Sequence, residues 1–161
     1  MTLVYLIRHA KAKNRPTWTE PDHIRPLTKA GFRQAKALPV LFEGQPFSRL
    51  FSSPHVRCVQ TLEPLASARG LTLEPTEDLA EGSPTGVALE LMLTVAADGP
   101  AAFCTHGDVM MDSIEELLAA GVRLAGPLEF KKGSTWVLDV RDRTFVGGRY
   151  LPPPVVDSGS T

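Results

Sequence analysis

Residues 3 to 7, Leu-Val-Tyr-Leu-Ile, form an unbroken apolar and partly β-branched run that stops abruptly at Arg8-His9. The run is far too short to cross a bilayer, and it lacks the alternation of a strand with one wet face. It therefore reads as a strand covered on both sides within a parallel sheet, with two chemically capable side chains at its carboxyl end. Such a strand needs parallel neighbours, and helices to cover both faces.

The rest of the chain supplies them. Phe47 to Ser52 reads as a second strand, Leu71 to Glu74 as a third, and Ala101 to Thr105 as a fourth buried strand ending at His106-Gly107. Thr28 is placed as a helix N-cap, with Leu27 and Phe32 as a hydrophobic staple and Ala30, Ala35, Ala37 and Leu38 favouring the helix that follows. Ser53-Pro54 has the cap-plus-proline form of a second helix start, running into residues 55 to 62, with Pro64 expected to kink or restart it. Ser83-Pro84 repeats the signal for a helix to about Ala97, with Val87, Leu91 and Val95 at helical spacing. A fourth helix covers roughly Val109 to Ala120 before Gly121, and Thr135 to Val140 with Thr144 to Val146 read as a hairpin or edge pair. Residues 10 to 27 contain Pro16, Pro21 and Pro26 and form a long polar loop, a candidate to face substrate. Alternating strands and helices predict an α/β fold, a three-layer α/β/α sandwich with a mainly parallel central sheet. We expect one domain over residues 1–151 and a flexible tail over 152–161, where Pro152-Pro153-Pro154 gives way to Ser and Gly.

Composition narrows the function. A length of 161 residues suits one domain, and 43% hydrophobic with 22% charged residues excludes disordered, fibrous and disulfide-scaffold classes. A formal net charge of −1 argues against a nucleic-acid polymer as partner. The apolar stretch from Val87 to Cys104 is broken by Glu90, Asp98 and Gly99-Pro100, so no membrane span or membrane partner is expected. The start of the chain lacks the pattern of a signal peptide, and two cysteines in unlike contexts suit buried thiols in a reducing compartment, so the expected location is cytoplasmic. The charges are uneven: residues 1 to 40 hold eight Lys and Arg against Glu20 and Asp22, while residues 71 to 98 hold six acids and no base. A compact anionic ligand near the first segment fits that distribution.

In an open α/β sheet the ligand lies outside the carboxyl ends of the strands. That rule brings Arg8 and His9, Arg57, Glu81 and His106 to one edge. Two histidines, two arginines and a carboxyl group can transfer a phosphoryl group without a metal or other cofactor. Arg8 and Arg57 would clamp a dianion through paired donors that stay charged, and His9 would be the nucleophile. His106 would donate a hydrogen bond to a non-bridging oxygen, and Glu81 would protonate the leaving oxygen and then deprotonate the attacking water. Asp78 competes with Glu81 for that role. Arg25 in the loop is either a further phosphate ligand or an ordinary surface arginine, and no His/Cys/Asp cluster has metal-ligand spacing.

Several segments, taken together, resemble the histidine phosphatase superfamily, which has the phosphoglycerate-mutase-like fold. They are Leu6-Ile7-Arg8-His9-Ala10-Lys11-Ala12, Arg25-Pro26-Leu27-Thr28-Lys29-Ala30-Gly31, Ser52-Ser53-Pro54-His55-Val56-Arg57-Cys58-Val59-Gln60-Thr61 and Thr105-His106-Gly107. The resemblance runs in order from residue 3 to about 140. Its short form is similar to SixA-type phosphohistidine phosphatases and to the phosphatase domain attached to some actinobacterial Nudix hydrolases. It implies a phosphohistidine intermediate and a phosphorylated small molecule or a phosphohistidine protein as substrate. Ala10 stands where the family usually has glycine, and Glu81 matches the acid position only loosely. The competing reading from another class is a non-catalytic phospho-ligand binder of the same fold, which the position of Glu81 would discriminate. A mutase is disfavoured because so short a chain leaves little material for a lid. Lys11 and Lys13 read as a solvated rim, Trp18 as loop packing, and His23 and His55 as non-catalytic, with no partner implied for His55.

Overall fold

In the computed structural model, which describes residues 1–156, the opening apolar run is β1 (Thr2–Arg8), and its residues are divided between two cores. Val4 and Leu6 join one buried cluster, while Tyr5 and Ile7 join the other. The same division holds in β4 (Ala101–Thr105), where Phe103 faces one way and Ala102 and Cys104 the other. Strict alternation of direction along a strand, with apolar partners on both sides, is the physical reason the run has no polar positions.

The sheet has seven strands in the order β3-β2-β4-β1-β6-β7-β5. β2 (Arg49–Ser52) and β3 (Leu73–Pro75) pair in parallel with each other, and β4 pairs in parallel with both β2 and β1. β6 (Thr135–Arg141) runs antiparallel to β1, and β7 (Thr144–Leu151) antiparallel to β6. β5, only Leu124–Ala125, adds a parallel edge that is too short to have left a sequence signal. Leu38 of α1 (Lys29–Leu41) and Leu62 of α2 (Val56–Arg69) belong to the core on one face; Met92 of α3 (Val87–Ala96) and Ile114 of α4 (Gly107–Ala119) belong to the core on the other. The expected three-layer α/β/α arrangement is therefore present.

Local expectations fared unevenly. Thr28 caps α1 as expected, its hydroxyl accepting from the Gly31 N–H at 3.0 Å. Pro64 does not restart α2, which runs through it with Leu62, Leu65 and Ala66 buried on either side; packing against the sheet outweighs the lost hydrogen bond. Ser53 does not cap α2. The helix begins at Val56 with His55 at the cap position, because the Ser53 hydroxyl is engaged by His106 Nε2 at 2.8 Å. Likewise α3 starts at Val87, after Gly86 at φ 91°, rather than at the Ser83-Pro84 signal. β7 extends to Leu151 through Gly147-Gly148, where a Cβ on Gly148 would lie 2.8 Å from Leu138 Cδ2 and Val137 O. Residues 152–156 have no regular structure, and the last five residues of the expected tail, 157–161, lie outside the described residues.

Candidate active site

The loop after β1 is closed on itself rather than splayed. Ala12 bridges Leu27, short 3₁₀ turns occupy Arg15–Thr17 and Asp22–Ile24, and Ala10, Ala12, Leu27 and Ala35 form a small buried cluster. Two side chains of α2 hold the loop in place. Thr61 Oγ1 accepts from the Ala10 N–H at 2.9 Å while donating to the Arg57 carbonyl at 2.7 Å, and Gln60 Oε1 accepts from the Leu27 N–H at 2.9 Å. The Gln-Thr pair thus ties the loop to the helix that carries Arg57.

His9 follows the end of β1 and is only 5% exposed. Its Nδ1 lies 2.8 Å from the Ala10 carbonyl oxygen, which can only accept, so Nδ1 carries the hydrogen and the neutral ring keeps its lone pair on Nε2. Burial is the main reason its pKa is pushed down to about 3; His106, Arg57 and Arg8 push the same way, and the Ala10 carbonyl pulls partly back. His9 is therefore uncharged throughout the neutral range.

Arg8, His9, Arg25 and Glu81 line one cleft of about 900 Å³. The Arg8 Nη1 donates to the Phe130 carbonyl at 2.6 Å, while its Nε is buried without a partner. Glu81 Oε1 accepts from Arg15 Nη2 at 2.9 Å, and its other oxygen lies 3.7 Å from Arg57 Nη2. Asp78, the alternative acid, is exposed and is not among the cleft-lining residues.

Arg57 and His106 do not line the cleft; they lie behind it, fully or almost fully buried. The His9 and His106 rings are 5.5 Å apart between centroids, and Arg57 Nη2 is 3.4 Å from His106 Nδ1. Arg57 also donates from Nη1 to the Asp22 backbone oxygen at 3.0 Å and from Nη2 to the Asp22 carboxylate at 3.1 Å, leaving its buried Nε without a partner. The same carboxylate accepts from Arg25 Nε at 3.0 Å. Arg25 is 5% exposed, with Nη1 donating to the Lys13 carbonyl, so it is not an ordinary surface arginine.

Asp22 is the site residue that sequence reasoning missed. Burial pushes its carboxyl upward, but the hydrogen bond from Arg25 and the charges of Arg57 and Arg15 outweigh that and hold it at about 2. Its signal was faint: an acid three residues before Arg25 in an otherwise basic loop. Ser53 was misread as a helix cap, and His55, read as lacking a partner, packs edge-on against His106 with ring centroids 4.6 Å apart. Lys132, given no role from the sequence, lines the cleft.

A neutral imidazole, a second buried histidine, three arginines and a carboxylate gather beyond the carboxyl ends of the parallel strands, where an open α/β sheet holds its ligand. The model of the histidine phosphatase superfamily (branch 1) matches residues 4–88, more than half the chain, and the protein belongs to that superfamily. It is 33% identical over 155 residues, 94% of its length, to the 8-oxo-(d)GTP phosphatase of Mycolicibacterium smegmatis, and it spans about half (48%) of that relative. Among solved structures, the protein histidine phosphatase SixA complexed with tungstate superposes with a TM-score of 0.74 at 19% identity, covering 92% of this chain and 94% of that one. The SixA protein from Agrobacterium tumefaciens gives a TM-score of 0.70 at 27% identity, covering 94% and 99%. No helix among the described residues is long and apolar enough to cross a membrane.

Proposed function

We propose that this chain hydrolyses a small phosphorylated molecule without a metal ion, through a covalent phosphohistidine on His9 Nε2. The observation that carries this is the state of His9: neutral, with Nδ1–H held by the Ala10 carbonyl and Nε2 without a hydrogen-bond partner among the described residues, in a cleft beside Arg8. A neutral, oriented imidazole is what attack on phosphorus requires. Arg8 and Arg25, on the cleft lining, supply the positive charge that a metal would otherwise bring to the transferring oxygens, and the buried Arg57 and His106 add to the field beside His9. Glu81 is the acid. In the first step the Nε2–P bond forms, the bond from phosphorus to the leaving oxygen breaks, and Glu81 protonates that oxygen. In the second step water attacks phosphorus, Glu81 takes its proton, and the N–P bond breaks to release inorganic phosphate and restore His9.

Glu81 shares the cleft with His9, which favours turnover over passive binding of a phosphorylated ligand. The relative from Mycolicibacterium smegmatis supports a nucleotide among the substrates, and the SixA likeness supports a phosphohistidine; the higher identity to the former, 33% against 27%, favours the small molecule. The test is to mix the protein with p-nitrophenyl phosphate in excess chelator, quench without acid within milliseconds, and locate phosphate by mass spectrometry. Phosphate on His9, and loss of turnover in His9→Ala, are expected. Phosphate on another residue, or full turnover by His9→Ala, would overturn the mechanism.

A further inference from the structure

Asp22 has no part in the two chemical steps and does not line the cleft, yet its carboxylate is joined to that of Glu81 through two arginines. Arg57 Nη2 lies 3.1 Å from Asp22 Oδ2 and 3.7 Å from Glu81 Oε2. Arg15 Nη2 donates to Glu81 Oε1 at 2.9 Å, and its Nε is 3.9 Å from Asp22 Oδ1. The four side chains close a ring of alternating charge. The ring is not symmetrical. Arg57 Nη2 carries two hydrogens, of which Asp22 takes one and His106 Nδ1, at 3.4 Å, faces the other, so Glu81 feels the charge of Arg57 without a hydrogen bond from it.

Asp22 is itself firmly held. Its backbone oxygen accepts from Arg57 Nη1 at 3.0 Å and from the Arg25 N–H at 3.1 Å, and Oδ1 accepts from Arg25 Nε at 3.0 Å. Burial pushes its carboxyl upward, but Arg25, Arg57 and Arg15 hold it at about 2, so it is charged at any pH near neutrality. An acid catalyst has the opposite need. Glu81 must carry a proton before the leaving oxygen can take it, and two neighbouring arginines favour the carboxylate. A permanent negative charge on the same two arginines offsets that pull. Two further ionisable groups are at hand: His55, which feels the charge of Glu81, and Asp108, which accepts the N–H of the adjoining Gly82 at 2.8 Å. The cleft's other cations, Arg8, Arg25, Lys11, Lys13 and Lys132, and its other acid, Asp112, form no ion pair with Glu81 among the described residues. All of these remain in place when Asp22 alone is changed.

We propose that Asp22 is a positioning residue for the acid step: by occupying Arg57 and Arg15, it leaves Glu81 able to hold the proton that the leaving oxygen takes. This rests on the reading of Glu81 as the acid. The proton still passes from Glu81 to the leaving oxygen, and Asp22 neither gives nor receives one.

The experiment compares kcat/KM against pH for an alkyl phosphate and for p-nitrophenyl phosphate, in the unchanged chain and in Asp22→Asn, which keeps an oxygen for Arg25 and Arg57 but loses the charge. With that charge gone the arginines act on Glu81 alone, and the protonated acid is lost at lower pH. The falling limb on the alkyl ester should therefore move down by about half to one pH unit, a modest shift because both carboxylates are about a third exposed (37% and 35%) and partly screened. Above the limb, the ratio of kcat/KM on the alkyl ester to that on the nitrophenyl ester should fall by about three- to tenfold. Asp22→Ala, which also frees the Arg57 hydrogen, should shift the limb at least as far, and Asp22→Glu should restore it. A limb that stays in place in Asp22→Asn, or an equal loss on both esters, is the signature of a merely structural residue and would overturn the proposal. Glu81→Gln, run alongside, reports on the acid reading itself: equal losses on both esters there would remove the acid, whereas a selective loss in Glu81→Gln with none in Asp22→Asn would remove only the role of Asp22.

Discussion

Gly107 has no side chain to offer the chemistry, yet it sets the position of one that does. A Cβ there would lie 2.8 Å from both Cζ and Nη2 of Arg8, so the guanidinium packs directly against the first turn of α4. The obstructed atoms are the end of a flexible side chain, and alanine at a helix start is well tolerated. Gly107→Ala should therefore change stability by less than about 1 kcal/mol while lowering kcat/KM by about tenfold or more through a displaced phosphate ligand. Urea titration and steady-state kinetics on one preparation check both halves. Glu81 is the acid of the proposed mechanism. Glu81→Gln should cost about 10²-fold in kcat on alkyl phosphates and much less on p-nitrophenyl phosphate, whose leaving group needs little protonation. Equal losses on both substrates would remove Glu81 from the acid role. Neither the Gly107 contact nor the ion pair between Glu81 and Arg15 was legible in the sequence, since each joins segments far apart in the chain.

Where elements meet, the loop after β1 and helix α1 behave as one unit. A Cβ on Gly31 would collide with the backbone oxygen of Lys11, and that same oxygen accepts the Thr28 N–H at 2.9 Å. Here the obstacle is backbone and cannot swing away. Gly31→Ala should destabilise the protein by about 1–3 kcal/mol, and because Lys11 is displaced with the loop, activity should fall in the fraction that remains folded; thermal unfolding and kinetics would show it. Element existence was well marked in the sequence, because apolar runs and the Thr28 cap are local signals. Helix starts were less so. Ser53-Pro54 satisfies every local rule for a cap, but the hydroxyl bonds His106 Nε2, 53 residues away, and the helix waits until Val56. Pro64 did not restart its helix for the converse reason, its neighbours being held in the core.

For the whole molecule, burying a neutral histidine ties stability to pH. His9 has a folded pKa of about 3 against 6.5 when exposed, so below 6.5 the unfolded chain takes up a proton that the folded one refuses. Its contribution is fully present above pH 6.5 and is lost as pH falls through the window from 6.5 to 3, at up to about 1.4 kcal/mol per pH unit. Asp22, held at about 2 against 3.8, adds a loss of the same sign below pH 3.8. Urea midpoints should fall from pH 7 to pH 5, and His9→Asn, whose amide can still donate to the Ala10 carbonyl but does not titrate, should flatten that fall. His55, also lowered by burial, preserves part of the slope.

The sequence by itself determined that the opening strand is covered on both faces, which residues end the strands, and hence the edge where Arg8, His9 and His106 converge, because burial on two faces and strand termination are written in consecutive residues. The tertiary structure alone decided how those groups are held. It brought Asp22 onto Arg57, put His55 against His106, and pinned Lys132 beside His9 through Gly133. Each of these is a contact between segments whose spacing in the chain obeys no period, so only the packed sheet and its loops could bring them together.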